Sequence, residues 1–124
     1  MRLAISQKQM RKEKIMAFNA TLETNKGIAK ITLVGELDAI SAPIFQKEVE
    51  KAATEHPKRL VLMMQDLEYI SSAGLRVLIF IKQKMGAYTD IYVVGTQEMV
   101  LDTFQKTGFD QSIILVDEYD IEKV

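Results

Sequence analysis

Two adjacent serines, Ser71 and Ser72, stand between an apolar segment and a helix-forming segment. The apolar run 60–64 ends in polar residues before the serines, and apolar residues without proline follow them. A serine hydroxyl at the start of a helix accepts hydrogen bonds from the free N–H groups of the first turn. The same position stabilises negative charge, including that of a phosphate placed on the hydroxyl. The pair therefore predicts a helix cap, a phosphorylation site, or both.

These serines lack the partners that a catalytic nucleophile needs. No glycine stands two places before either of them, as a nucleophile elbow requires. The single histidine, His56, is expected at the far end of the preceding helix, away from Ser72. The chain has no cysteine, which excludes disulfides, thiolate metal sites and cysteine catalysis. The paired carboxylates are expected in solvated loops and not in a metal cluster, and the sequence has no glycine-rich phosphate loop. We therefore predict no metal, no cofactor and no enzymatic activity.

Hydrophobic periodicity predicts elements in the order β-β-α-β-α-β-α-β, with a short terminal helix. Alternating residues on both sides of Asn25-Lys26-Gly27 predict a hairpin in which Asn25 and Gly27 tolerate positive φ. Strands then alternate with helices, so the predicted fold class is α/β, a mixed central sheet of about four or five strands with three or four crossover helices. The predicted strands cover 18–24, 28–34, 59–64, 91–95 and 113–116, and the helices begin at Ser41 or Ala42, at the serine pair, and after Thr96, the last ending at Gly108.

The helix after the serines is apolar around most of its circumference. Its two predicted stripes are Leu75, Leu78 and Ile79, and Val77, Phe80 and Ile81. Such a helix either is buried on more than one side or offers an apolar surface to a partner. Both interpretations are open at this point.

Composition indicates one globular domain with unevenly spread charge. The 124 residues are 48% hydrophobic and 27% charged, with a net charge of −1. Residues 1–16 carry five basic side chains against Glu13, a net +4, which leaves −5 on residues 17–124. We expect 1–16 to be a flexible basic extension, or to precede a start at Met16, and 17–124 to be the domain. The acidic domain argues against nucleic-acid binding, and no apolar run approaches the ~20 residues of a membrane span, which argues against a membrane protein. The absence of cysteine fits a cytoplasmic protein, which is what we expect.

Three motifs, in order, resemble those of STAS domains, the fold of bacterial anti-sigma factor antagonists. Gly35-Glu36-Leu37-Asp38 resembles the family's glycine–acidic–hydrophobic–aspartate strand end. Residues 60–67 resemble its central strand with a closing aspartate-leucine. Residues 71–75 resemble its phosphorylation loop, where a serine stands two places before the glycine-leucine that opens a helix. The resemblance covers roughly residues 17–124.

The resemblance implies a partner-switching regulator and not an enzyme. In this family the unphosphorylated form binds and sequesters a serine kinase of the histidine-kinase-like ATPase type, which often doubles as an anti-sigma factor. The kinase phosphorylates the loop serine, the complex dissociates, and a serine phosphatase resets the protein. By position the modified residue is Ser72, with Ser71 as second choice. Ser71 stands where better-known members have aspartate, and Ala73 where they have serine or threonine, so kinase recognition is expected to differ.

The predicted partner-binding surface joins two loops that each follow a strand and lead into a helix. It comprises Asp38, Ala39, Ile40, Ser41, Ser71, Ser72, Ala73, Gly74, Arg76, Val77 and Phe80. Asp38 has an equally good structural interpretation as a strand-end residue that caps the next helix. The alternative function is a STAS module that binds nucleotide or protein without phosphorylation, which a titration with GTP or ATP would distinguish.

Overall fold

The computed structural model describes residues 17–119, and its first element is a tight hairpin. β1 (Asn19–Asn25) and β2 (Ile28–Leu37) pair antiparallel. The two turn residues between them, Lys26 and Gly27, have φ of +50° and +82°. Both values lie in the left-handed region that two-residue hairpin turns favour. The predicted hairpin is confirmed, although Lys26 and not Asn25 adopts the positive φ.

The rest of the described chain alternates helices with strands. Its elements are α1 (Ala42–Thr54), β3 (Arg59–Ile70), α2 (Ser72–Met85), β4 (Asp90–Val94), α3 (Glu98–Thr107), a 3-10 helix (Phe109–Ser112) and β5 (Ile114–Val116). The strands form one sheet in the order β1-β2-β3-β4-β5, in which only the first pair is antiparallel. The predicted mixed α/β sheet is confirmed, with five strands and three crossover α-helices among residues 17–119.

Two predictions concern residues outside this range. The basic extension over 1–16 and the short terminal helix both fall outside the described residues, so they stay predictions. Within 17–119, none of the helices is long and apolar enough to cross a membrane.

β3 is longer than the sequence pattern predicted. The predicted strand covers 59–64, but the observed one continues to Ile70, and its second half pairs with β2 alone. The β2–β3 ladder shifts register between Thr32 and Val34 and between Gly35 and Glu36. Such irregularities bend a strand and redirect its side chains. The loop predicted ahead of the serines is therefore wrong, because the strand runs directly into them.

The three α-helices share one hydrophobic core with the sheet. Phe45 of α1, Leu78 of α2 and Phe104 of α3 are at most 1% exposed and belong to a single cluster with the buried strand residues. Side chains alternate between the two faces along each strand, so the strand residues that lie between those of this cluster point to the other face of the sheet. That face carries a smaller cluster built on Ile28, Val61 and Val94. The helical face therefore holds most of the core and positions the helix termini that form the site.

α2 is buried over a wider arc than a single stripe. Val77 and Ile81, from the stripe that was a candidate for a partner, are 5% and 0% exposed. Phe80 is half-buried, whereas Ile79, assigned to the other stripe, is 40% exposed. Successive helical residues point about 100° apart, so an arc that buries residues 77 and 81 leaves residue 79 on the opposite side. Ile79 therefore faces solvent, and the second stripe belongs mainly to the core.

Candidate functional site

The loop between β2 and α1 is closed by hydrogen bonds of Asp38. Its Oδ1 accepts from the backbone N–H groups of Ile40 and Ser41, each at 3.0 Å. The Ser41 hydroxyl accepts from the backbone N–H of Asp38 at 2.8 Å. It also lies 2.8 Å from the Glu36 carbonyl and 3.1 Å from Asp38 Oδ1, either of which can take its proton. The backbone N–H of Ser41, then its hydroxyl, hold the pKa of Asp38 below its ordinary value.

This geometry makes Asp38 a loop-closing residue and not a helix cap in the strict sense. The N-cap of α1 is Ser41, which makes no side-chain cap hydrogen bond, and the Asp38 carboxylate binds N–H groups ahead of the helix. Such an Asx-type turn fixes the direction in which the chain leaves the strand. It leaves Ile40 at the tip of the loop with 85% of its surface exposed, while Ser41 is only 4% exposed. Any contact of this loop with a partner would therefore involve Ile40 far more than Ser41.

The two serines at the start of α2 have different roles. Ser71 is the N-cap: its backbone is extended, and its Oγ accepts from the backbone N–H of Gly74 at 3.3 Å. Ser72 is the first residue of the helix and is exposed, and its hydroxyl makes no hydrogen bond to any other residue between 17 and 119. The cap predicted as one interpretation of Ser72 is thus supplied by its neighbour.

A short hydrogen bond ties the two loops together. The backbone N–H of Ser71 donates to the carbonyl of Leu37 at 2.8 Å, which joins the start of α2 to the end of β2. The Asp38 loop follows Leu37 directly, so it lies beside the start of α2, at the carboxyl ends of β2 and β3. The predicted juxtaposition of Asp38 with the serine pair therefore rests on adjacent, hydrogen-bonded backbone.

Gly74 allows the first turn of α2 to approach the sheet closely. A Cβ at this position would lie 2.6 Å from Cγ and 2.9 Å from Cδ2 of Leu37, and 3.0 Å from Cγ1 of Ile70. Contacts below 3.0 Å require a shift of the neighbouring atoms, and both neighbours are buried. Gly74 is itself buried, so its contribution is to positioning the serines and not to a surface.

An open cavity of about 480 Å³ lies between α1 and α2, beside the first turn of α2, and we call it the upper cavity. Of the predicted partner-binding residues, those that line it are Ala39, Ala73, Arg76, Val77 and Phe80. The opposite wall was not predicted from the sequence, and α1 contributes it through Pro43, Gln46, Lys47 and Glu50. Their spacing of three or four residues marks one helix face, but a face with such charges is also typical of a solvated surface.

The histidine lies away from the serine pair. His56 follows the carboxyl end of α1, whereas the loops around Ser72 lie at the amino end of that helix. A helix of 13 residues is about 20 Å long, so no serine–histidine pair forms at this site.

Comparison with known proteins assigns the fold. The family model described as the STAS domain matches residues 19–121. The chain belongs to the STAS domain family. The anti-sigma-F factor antagonist RsfB of Mycobacterium tuberculosis is 23% identical over 99 residues, which cover 80% of this chain and 81% of RsfB.

Solved STAS-like structures agree with the described architecture. An anti-sigma factor antagonist from Mycobacterium paratuberculosis has a TM-score of 0.75 at 22% identity, over 86% of this chain and 90% of that one. Unphosphorylated SpoIIAA has a TM-score of 0.71 at 17% identity, over 85% of this chain and 92% of SpoIIAA. The phosphorylated form of SpoIIAA, a Bacillus cell fate determinant, has a TM-score of 0.65 at 16% identity, over 86% of this chain and 96% of that one. At these identities the likeness establishes the fold, and the predicted family and fold class are confirmed.

Proposed function

We propose that this STAS domain is an anti-sigma factor antagonist that works by partner switching. The unphosphorylated protein binds and sequesters a serine kinase of the histidine-kinase-like ATPase type that also serves as the anti-sigma factor. Phosphorylation of Ser72 releases this partner, and a serine phosphatase restores the binding form. The observation that carries the proposal is the exposed Ser72 hydroxyl, which forms no hydrogen bond within residues 17–119 because Ser71 caps the helix.

The relatives support both parts of the proposal. RsfB is an antagonist of an anti-sigma-F factor, which supports an anti-sigma factor as the partner. SpoIIAA is known in an unphosphorylated and a phosphorylated form, which supports phosphorylation as the regulatory step. The assignment of the step to Ser72 rests on the position of this serine in the family motif and on the geometry of this chain.

A phosphate on Ser72 should leave the domain folded. It adds about −1.5 to −2 charges at neutral pH. Negative charge in the first turn of a helix is stabilising by about 0.3–2 kcal/mol. The first turn of α2 contains no acidic residue that would repel the phosphate, and Arg76 follows Ser72 by one turn. Modification therefore acts on the surface and not on the fold.

The same charge is unfavourable once a partner covers it. Removing one member of a buried charged pair, which leaves the other charge uncompensated, costs about 3–5 kcal/mol. Each ~1.4 kcal/mol corresponds to a tenfold change in affinity. A phosphate trapped uncompensated beneath a partner would therefore weaken binding by roughly a hundredfold or more. One modification is enough to convert a tight complex into free proteins.

The experiment uses the unmodifiable variant as bait. Tagged Ser72→Ala chain, expressed in the source cells, should retain the partner, which is then eluted and incubated with ATP and fresh protein. Wild type and Ser71→Ala should each take up one phosphate, and Ser72→Ala none. Uptake of one phosphate by Ser72→Ala but not by Ser71→Ala would transfer the site to Ser71, and uptake by neither serine would refute the proposal.

A further inference from the structure

A second cavity continues the first along the same pair of helices. It has a volume of about 630 Å³ and lies where α1 and α2 end, lined among others by Ala53, Met85 and Tyr88. Lys84 lines this lower cavity, and its Nζ lies 5.8 Å from the ring centroid of Phe80, which lines the upper one. The two cavities therefore adjoin at these side chains. Together they form one α1–α2 groove, about 20 Å long since the helices have 13 and 14 residues.

The charges along this groove are mostly positive. The charged side chains that line its two cavities, apart from His56, are Lys47, Lys58, Arg76, Lys84 and Glu50. Their sum is +3, whereas residues 17–124 as a whole carry −5. Within residues 17–119, none of the four cations takes part in a salt bridge. The groove is therefore an uncompensated basic strip on an acidic domain.

Apolar side chains line both cavities, although little of their surface is open: Val77 and Met85 are each 5% exposed, and Phe80 is half-buried. Val77 and Phe80 lie in the upper cavity, and Met85 lies in the lower one. At the lower end Tyr88 is 87% exposed, and Ile40, next to Ala39 of the upper cavity, is 85% exposed. A ligand that fits this strip needs an apolar stripe and negative charge along about 20 Å.

We propose that the α1–α2 groove docks an acidic amphipathic helix of the partner, of three to four turns. The helix would place its apolar stripe on the groove floor and its carboxylates towards the four cations, because helices commonly bind in grooves through residues spaced three and four apart. This inference rests on the proposed function. It also offers a route to release, since a phosphate on Ser72, one helical turn before Arg76, adds about −1.5 to −2 charges next to a groove whose lining charges sum to +3.

The test uses the full chain and synthetic helices, so it needs neither kinase nor native partner. The probe is a 14-residue peptide of leucine and glutamate patterned as an amphipathic helix, and the control peptide carries lysine for glutamate. Amide chemical shifts in NMR spectra map the contact, and calorimetry gives the affinity. The glutamate peptide should shift residues of α1 and α2 at both ends of the groove and bind at least about tenfold more tightly than the lysine peptide.

Substitutions at the end remote from Ser72 separate a groove from a local contact. The double variant Lys58→Gln with Lys84→Gln should bind the glutamate peptide with an affinity about 2- to 10-fold lower than wild type. The matched control is Lys51→Gln with Lys106→Gln, which removes the same charge from side chains that do not line the cavities and should change affinity less than twofold. Phosphoserine inserted at position 72 during translation should weaken binding at least as much as the double groove variant.

The inference would be overturned by shifts confined to another surface, by equal affinity for the two peptides, by equal effects of the two double variants, or by loss of peptide binding through self-association of the chain. It would also be overturned if ATP shifted residues of the lower cavity and the peptide shifted none. That result would indicate that the groove binds a small organic anion. None of these depends on whether Ser72 is phosphorylated in cells. The inference and the proposed function can therefore fail separately.

Discussion

Because Ser71 caps α2 and Ser72 does not, replacing each serine by alanine should have a different effect on the stability of the domain. Ser71→Ala removes the side-chain oxygen that accepts from the backbone N–H of Gly74. Ser72→Ala removes a hydroxyl that has no partner among residues 17–119 and places a good helix former at an exposed helical position. The first change should destabilise the domain, and the second should not.

The size of the effect follows from the geometry of the cap. Loss of an N-cap side chain costs about 0.5–2 kcal/mol. The Ser71 hydrogen bond is long, at 3.3 Å, so we expect the lower half of that range, about 0.5–1 kcal/mol. For a domain of this size, that corresponds to a decrease in Tm of about 2–8 °C. Ser71→Asp keeps an acceptor at the cap and should stay close to wild type.

Urea unfolding monitored by far-UV circular dichroism measures these differences directly. The midpoint should fall for Ser71→Ala at an unchanged m value, which means that stability and not compactness has changed. Ser72→Ala and Ser71→Asp serve as matched controls. If Ser72→Ala lost as much stability as Ser71→Ala, the assignment of the cap, and with it the free hydroxyl, would be refuted.

Three further predictions follow from the same site. Gly74→Ala should cost about 1–3 kcal/mol by crowding Leu37, and Leu37→Ala in the same chain should recover part of this loss in urea unfolding; strictly additive losses would contradict the contact. Asp38→Ala should be less stable than wild type at pH 7. Because the pKa of Asp38 is lowered in the fold, this difference should shrink as pH falls below about 4, and a constant difference down to about pH 3 would count against it. Phosphoserine at position 72 should not lower the Tm measured by calorimetry, and a loss of several degrees would contradict the helix-terminus argument.

Local patterns were sufficient to predict the order of the elements. Alternation around a glycine-containing turn predicted the hairpin, and the left-handed Gly108, with φ of +78°, ends α3 as expected. The length of β3 could not be predicted in this way. Its second half is held by pairing with β2 through shifts of register, which is a long-range property that local composition does not encode.

The helix cap at the serine pair was predictable to within one residue. Sequence placed a serine hydroxyl at the start of α2, but which serine caps the helix depends on the backbone conformation at a single position, and this is extended at Ser71. The α1 wall of the groove was missed because Lys47 and Glu50 look like an ordinary solvated helix face until α2 lies beside them. The burial of Val77 and exposure of Ile79 likewise follow from how α2 is rotated on the sheet.

The measurement that tests the central claim most directly is the position of the phosphate. Trypsin releases residues 60–76 as one peptide, because Arg59 and Arg76 flank a stretch without other basic residues, and both serines fall within it. The protein is first modified by its captured partner and ATP. Fragment ions that separate Ser71 from Ser72 should then place the phosphate on Ser72. A phosphate on Ser71, or a peptide that stays unmodified while the partner is nonetheless released by ATP, would contradict the account.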